Sequence, residues 1–203
     1  MRRAGFTLFE LMVAGTLLSL LLTVSLSLLK TTFQSSSRAA VRVELQQRAC
    51  LSMENLLADL ERCSASSVHL FTAQPVGQPY GLCLQRLEGF SSGGVQLWEP
   101  TLICYHWNAA QRRLARVNWL PAKPALSILP TTAQPVAPTP ADFLMLARNS
   151  GPGYKLLAEA VKQVGLVQEP GRLRISLWLE RQLSDAGRES FEMHRVFSFR
   201  NSW

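Results

Sequence analysis

The feature that most constrains this chain is an uninterrupted apolar run close to its first residue. From Leu11 to Leu29 no residue carries a charge, and this length is about what an α-helix needs to cross the hydrocarbon core of a bilayer. Arg2 and Arg3 precede the run, so the positive-inside rule predicts a cytoplasmic N-terminus, with everything after Lys30 across the membrane. We therefore expect a single-pass membrane protein with a cytoplasmic N-terminus, whose remaining residues form a head on the other side of the membrane.

A carboxylate at the start of this run requires an explanation. Glu10 lies at the rim of the apolar segment, where an ionisable side chain is costly unless it has a partner or a function. The run is too long for an ordinary secretory signal, and no small-residue cleavage site follows it. Instead a small residue, Gly5, stands before it and is followed at once by the sequence FTLFE.

This arrangement, Gly-Phe-Thr-Leu-x-Glu ahead of an apolar helix, resembles the class III signal of type IV prepilins. The resemblance covers residues 5–29 and implies that a prepilin peptidase cleaves between Gly5 and Phe6, that Phe6 is then N-methylated, and that Glu10 acts in filament assembly. Residues 1–5 would be a leader peptide, and residues 6–30 would be both the membrane span and the filament core. The implied partners are the peptidase and other pilins or pseudopilins. The alternative is a bitopic, signal-anchored protein whose Glu10 sits at the level of the lipid headgroups.

Electrostatics explains why such a pattern would work. Cleavage would give Phe6 a positive α-amino group, which the Glu10 of a neighbouring subunit could neutralise when the apolar helices bundle. Exclusion of water strengthens this attraction, and a carboxylate left unpaired in the same place would be penalised. The pair would therefore set the register between subunits. Many pilins carry a proline in the middle of this helix, whereas here the only comparable residue is Gly15, so a kink is less expected.

Residues 31–63 continue the helical pattern but become amphipathic. Apolar residues recur at steps of three and four, which is typical of a helix with one buried face: Leu45, Ala49, Met53, Leu56 and Leu60. Glu44 and Arg48 form an i,i+4 pair. We predict one helix from Phe6 to about Arg62, whose second half packs on a sheet.

Residues 64–203 are predicted to form a β-rich globular head. Strand candidates are PYGLCLQRLE, GVQLWEP, LICYHWN, RLARVNWLP, ADFLMLAR and FEMHRVFSF, and RLRISLWLER shows the best alternation, with Leu173, Ile175, Leu177 and Leu179 on one face. Residues 121–140 hold six prolines and are predicted to be an extended surface loop. The expected fold class is α+β, a pilin fold with the long helix laid on an antiparallel sheet.

The end of the chain carries a second, shorter resemblance. The segments LLAEAVKQVGLVQE, RLRISLWLE and RVFSFRNSW resemble the C-terminal half of minor pilins of the PilW type and of the J pseudopilin of type II secretion. This resemblance implies a minor subunit of a pilus or pseudopilus that acts in assembly initiation or at the tip. A major pilin is less expected, because a head with a long proline-rich loop is bulky for a dominant filament subunit.

Four cysteines, Cys50, Cys63, Cys83 and Cys104, face an oxidising compartment if the head is exported, so disulfides are favoured over metal binding. Thirteen helical residues separate Cys50 from Cys63 by roughly 20 Å, too far for a bond. If two bridges form, each of these two must therefore pair with Cys83 or Cys104. The alternative is that some of the four are buried free thiols.

Enzymatic function finds little support in the sequence. His69, His106 and His194 are scattered, and none has metal-ligand spacing or a recognisable nucleophile motif around it. We therefore expect no catalytic residue, metal or cofactor. The net charge of +7 and pI of about 9.7 leave a DNA-binding or adhesive minor pilin as an alternative, although no run of basic residues supports it.

Overall fold

A computed structural model of the chain describes residues 7–71, 80–119, 134–148, 153–183 and 187–199. The chain divides into two compact units, Met1–Val43 and Glu44–Trp203. Helix α1, Leu8–Leu60, supplies the described helical residues of the first unit and opens the second. No proline interrupts it, so the helix is continuous as predicted, although it ends two residues before the predicted Arg62.

From here on, the head means the whole second unit, residues 44–203. Its described residues include the C-terminal part of α1, residues 44–60, and two antiparallel sheets. Sheet A has the order β1-β2-β3-β4-β5, and sheet B has the order β6-β7-β8. The strands are β1 Val68–Phe71, β2 Tyr80–Phe90, β3 Gln96–Asn108, β4 Arg113–Trp119, β5 Tyr154–Glu159, β6 Val161–Glu169, β7 Arg172–Gln182 and β8 Arg188–Ser198. A long N-terminal helix on antiparallel sheets is an α+β layout consistent with the pilin fold, as predicted.

The predicted helix stripe is the buried face of α1 in the head. Its five apolar residues are between 0% and 6% exposed, whereas Gln46 and Glu54 between them face solvent. The predicted strand face is equally well buried, because Leu173, Ile175, Leu177 and Leu179 of β7 are at most 2% exposed. Residues of α1, sheet A and sheet B line one small apolar cavity, so all three contribute to a common core.

The head has two sheets where one was predicted, because the chain turns sharply at a single residue. Ala160 lies between β5 and β6 with φ of 62°, in the left-handed region that costs an L-residue roughly 1–2 kcal/mol. Backbone hydrogen bonds hold this corner: the Glu180 N–H donates to the Ala160 carbonyl at 2.8 Å, and the Val161 N–H donates to the Arg112 carbonyl at 2.9 Å. Sheet B therefore begins immediately after sheet A ends.

Two predicted strands, GVQLWEP and LICYHWN, are parts of one strand, β3. Pro100 interrupts the alternating pattern and lacks a backbone N–H. It is accommodated because the pairing of β2 with β3 shifts register between Gln85 and Gly89, opposite this part of β3.

The segment ADFLMLAR is a helix, so its prediction as a strand is wrong. Helix α2, Pro140–Arg148, begins with a reciprocal cap: the Thr139 hydroxyl donates to the Asp142 carboxylate at 2.6 Å and accepts from the Asp142 N–H at 3.2 Å. Proline is also well suited to the first helical position. Phe143 and Leu146, three residues apart, are buried against sheet A. Of the predicted loop 121–140, residues 121–133 lie outside the described residues, and residues 134–139 contain no helix or strand.

Candidate functional site

The first turn of α1 carries a hydrogen-bonded cap between Thr7 and Glu10. The Glu10 carboxylate accepts from the Thr7 backbone N–H at 2.9 Å and from the Thr7 hydroxyl at 3.0 Å, and the Glu10 N–H donates back to that hydroxyl at 3.3 Å. This is a capping box, which satisfies orphan donors at a helix start. Gly5 and Phe6, the predicted cleavage site, lie outside the described residues. Glu10 therefore has a role within its own chain, which experiment must separate from any role between chains.

The apolar part of α1 presents its side chains to the outside. Every residue from Leu8 to Phe33 is exposed, and α1 contains a stretch that is long and apolar enough to span a membrane. The large exposed side chains include Leu11, Met12, Leu17, Leu18, Leu20, Leu21, Leu22, Leu26, Leu28 and Leu29. A contiguous apolar surface of this kind marks a contact with lipid or with other proteins.

Six hydroxyl groups in the described first half of this helix are satisfied by backbone carbonyls of the helix itself. Thr16 donates to the Val13 carbonyl at 2.8 Å, and Thr23 donates to the Ser19 carbonyl at 2.9 Å. The hydroxyls of Ser27, Thr31, Thr32 and Ser35 bond in the same way to carbonyls three or four residues earlier. Since a bilayer core supplies no water, internal satisfaction of polar groups is what a spanning helix requires.

At the other end of α1, a buried carboxylate joins the helix to three strands of sheet A. Asp59 accepts from the Tyr105 hydroxyl of β3 at 2.5 Å and from Nε of Arg116 on β4 at 2.7 Å. A guanidinium nitrogen of Arg86 on β2 also donates to it. The Asp59 side chain is only 5% exposed. We call these four residues the Asp59 cluster.

The protonation states in the Asp59 cluster favour attraction. Burial alone would raise the pKa of Asp59, but hydrogen bonds from Arg116, Tyr105 and Arg86 outweigh it and lower that pKa. Burial and the neighbouring carboxylate together raise the pKa of Tyr105 far above its usual value, so the phenol stays protonated and donates. The cluster therefore links the last turn of α1 to sheet A through two ion pairs and a hydrogen bond. Asp59 stays ionised and Tyr105 stays protonated near neutral pH.

Sequence reasoning missed the Asp59 cluster, although a signal was present. Asp59 follows Leu56 by three residues and therefore falls on the buried stripe of the helix. A charge on such a face requires a buried partner. The partners come from three different strands, and nothing in the sequence pattern brings Arg86, Tyr105 and Arg116 together.

The cysteine pairing differs from the prediction. Cys83 and Cys104 are bonded to each other, so the predicted bridges from Cys50 or Cys63 to a sheet cysteine are wrong, and these two are free thiols. The physical reason is register: Cys83 and Cys104 are direct neighbours on β2 and β3. Burial raises the pKa of Cys63 to about 12, which makes its thiol unreactive.

The three histidines lie in different environments, as expected of residues that share no site. His194 is exposed on β8, His69 lies on β1, and His106 on β3 is 5% exposed. Neither ring nitrogen of His106 has a hydrogen-bond partner among the described residues, and burial lowers its pKa to about 4. A buried, unpartnered imidazole is neutral in the folded head.

This burial predicts an acid-sensitive head. The unfolded chain binds a proton at His106 below pH 6.5, whereas the folded chain resists protonation until about pH 4, so stability present above pH 6.5 is lost as pH falls between these values. The loss should reach about 3 kcal/mol. Urea unfolding of the full chain in detergent at several pH values would measure it. His106→Leu should flatten this dependence, and His194→Gln should not; an unchanged slope in the His106 variant would contradict the assignment.

The described residues contain no group of three or more His, Cys, Asp or Glu arranged to hold a metal ion. Among the described residues, nine arginines and lysines form ion pairs with carboxylates, so this part of the basic charge is already engaged. These side chains offer less free positive charge to DNA phosphates than the net charge of the chain suggests. Comparison of the chain with protein families, curated proteins and solved structures finds no match.

Proposed function

We propose that this chain is a minor pilin or pseudopilin, a structural subunit of a type IV pilus or of a type II secretion pseudopilus. It would act in assembly initiation or at the filament tip. In this proposal prepilin peptidase cleaves between Gly5 and Phe6, Phe6 is methylated, and Glu10 meets the Phe6 amine of a neighbouring subunit. The chain first resides in the inner membrane, with its head on the far side from the cytoplasm, and then enters the filament.

The observation that carries the proposal is the exposed apolar helix headed by a carboxylate. Its side chains from Leu8 to Leu29 are exposed, so they require contact with lipid in the membrane, with neighbouring helices in a filament, or with first the one and then the other. A carboxylate on such a surface loses solvation when helices bundle, and this loss is tolerable only if an opposite charge meets it. The processed N-terminus of a neighbour would provide that charge at the correct end of the helix.

The Asp59 cluster fits the same proposal from the side of the head. In a filament, force passes between the helical core and the head of each subunit, so the head must stay attached to its helix. Two ion pairs and one hydrogen bond from three strands to Asp59, added to the buried stripe, fix the last turn of α1 to sheet A. No observation specifically favours DNA binding, so that alternative takes second place.

The test of this proposal is processing at Gly5. In a strain with active prepilin peptidase, intact-mass analysis of membranes should show loss of residues 1–5 and one added methyl group on Phe6. Gly5→Leu should block both, because the peptidase requires a small residue before the cleaved bond. An N-terminus at Met1 in the wild-type chain would overturn the proposal and leave a bitopic membrane protein.

Gly15→Leu is a matched control for this experiment. It makes the same substitution within the apolar segment, and an added side chain at Gly15 would meet no atom within 4 Å. We expect normal insertion and complete processing. Failure of both variants would show that the segment tolerates no added bulk, in which case the peptide released from the wild-type chain would decide the matter.

A further inference from the structure

The two edge strands of sheet B, β6 and β8, differ in what contacts their outer backbone groups. At the β6 edge, the Tyr80 hydroxyl accepts from the Leu166 N–H at 2.8 Å and donates to the Leu166 carbonyl at 3.2 Å. The indole N–H of Trp107 donates to the Val161 carbonyl at 3.4 Å. Side chains thus occupy backbone groups at this edge, one of the ways in which proteins prevent unwanted strand pairing.

The β8 edge has none of this protection within the described part of the chain. There β8 pairs with β7 alone, over an unbroken register from Arg188 to Ser198 with no bulge. The strand contains no proline or glycine. It does carry four charged residues, which oppose pairing with a strand whose charges do not match them: Arg188, Glu189, Glu192 and Arg195. A long, regular, open edge of this kind is a template for another strand.

The side chains of β8 that share the face of the β7 core are only partly covered. The first four along the chain are Glu189, Phe191, Met193 and Arg195, and the last three of these lie opposite buried residues of β7. Phe197 follows on the same face, opposite Leu173, and its ring packs on Phe199. Phe191 and Met193 are half-buried, and Arg195 is exposed. Neither Glu189 nor Arg195 forms an ion pair with another described residue. We call these four residues the inner row of β8.

We propose that β8 pairs antiparallel with β8 of a second copy of this chain, about a twofold axis at Glu192. In this register Glu189 lies opposite Arg195 of the second copy, and Phe191 lies opposite Met193. Each of these contacts occurs twice because the interface is isologous. The two sheets B become one continuous sheet, with an apolar centre bounded by an ion pair at each side.

The inner row is self-complementary, and this argues for a second copy as the occupant. Read antiparallel against itself, the order acid, Phe, Met, base places each charge opposite its complement. Moving the axis to Met193 would place Phe191 opposite Arg195, and moving it to Phe191 would place Glu189 opposite Met193. Of these three axes, only the one at Glu192 pairs Glu189 with Arg195 and Phe191 with Met193; it places Phe197 opposite Gly187, just before the partner strand begins.

One contact in this register is unfavourable. Glu192 lies opposite Glu192 of the second copy on the solvent side of the sheet. Each Glu192 has the Nε2 atom of His194 of its own chain at 3.2 Å, and both side chains are exposed to solvent, which screens the repulsion. Cross-strand charge pairs are similar in size whether attractive or repulsive, so two attractive pairs outweigh one repulsive pair.

Cysteine crosslinking tests the axis directly. Residues directly opposite in an antiparallel pair have Cα atoms about 4.5–5.5 Å apart, which is within disulfide reach. In the full chain in native membranes, with Cys50→Ser to remove the half-exposed native thiol, Glu192→Cys should give a disulfide-linked dimer. The control is Arg188→Cys, whose exposed cysteine would lie opposite Val196 and should give none. Crosslinking at both positions, at Met193→Cys instead, or to a different protein would overturn the proposal.

Reversal of charges tests whether the strand that pairs with β8 is β8 of a second copy of this chain. Glu189→Arg and Arg195→Glu should each lower the Glu192→Cys crosslink roughly tenfold, because each turns two attractive contacts repulsive. When the two differently tagged variants are expressed together, the Glu189→Arg side chain of one copy lies opposite the Arg195→Glu side chain of the other, and the crosslink should return between them. Absence of this mixed dimer would overturn the proposal. The inference concerns the head alone, so processing at Gly5 neither supports nor contradicts it.

Discussion

Glu10→Gln is expected to leave the chain inserted and processed but to lower its incorporation into filaments at least about tenfold. The glutamine side chain can still cap Thr7, because the capping box accepts Gln in place of Glu, so the helix start is preserved. It cannot neutralise the Phe6 amine of a neighbour. Breaking a buried pair by removing one charge costs about 3–5 kcal/mol, and each 1.4 kcal/mol is a factor of ten. The measurement compares processed protein in membranes with protein in sheared filaments or crosslinked pilin complexes.

Thr7→Val is the matched control for this prediction. It removes the capping hydroxyl and leaves the Glu10 charge, at a cost of about 1 kcal/mol in helix stability. If the charge sets the register, Thr7→Val assembles and Glu10→Gln does not. The reverse order would show that Glu10 acts only as a cap, and the assembly role would then be rejected. Glu10→Ala removes both functions and should behave like Glu10→Gln.

Asp59→Asn is expected to lower the free energy of unfolding of the head by about 3 kcal/mol or more. The side chain keeps its size, but Arg116 loses its counterion and Arg86 keeps only Glu99, at 3.8 Å, in a site where Asp59 is 5% exposed and Arg116 is 14% exposed. An uncompensated buried charge costs several kcal/mol. Urea unfolding of the full chain in detergent, followed by tryptophan fluorescence, would measure the loss.

Two further variants separate the charge effect from general damage. Glu44→Gln removes an exposed carboxylate that pairs with Arg48 and Arg181, and it should cost less than about 1 kcal/mol. Adding Arg116→Gln to Asp59→Asn should recover part of the lost stability, because it removes one of the unpaired charges. A loss below about 1 kcal/mol for Asp59→Asn would show that the contacts of Asp59 do not hold α1 on sheet A.

Helices and strands were predicted correctly where apolar residues recur at one regular spacing along the whole element. The stripe from Leu45 to Leu60 and the alternation of Leu173 to Leu179 are both buried as expected, because each records which side of its element meets the core. The prediction failed at ADFLMLAR, where a short apolar run fits a strand and a helix equally well. In this segment the sequence signal that favours a helix is the pair Thr139 and Asp142, which caps the helix start.

Contacts between distant segments could not be predicted in this way. The Cys83 to Cys104 bond depends on the register of β2 against β3, and the Asp59 cluster depends on which strands lie under the last turn of α1. Ala160 divides the head into two sheets through a backbone conformation that its residue type disfavours. Each of these follows from pairing across the chain, which local spacing does not encode.

By itself the sequence determined that this chain has one uncharged apolar helix headed by Glu10, followed by an amphipathic half and a β-rich head, because charge, hydrophobicity and periodicity are properties of consecutive residues. Contacts within the folded head supply the rest: Asp59 accepts hydrogen bonds from Arg86, Tyr105 and Arg116, and β8 has an edge that no other described strand covers, with a self-complementary inner row. These features arise where strand register and packing bring together residues far apart in the chain, and the free energy of such contacts depends on their geometry.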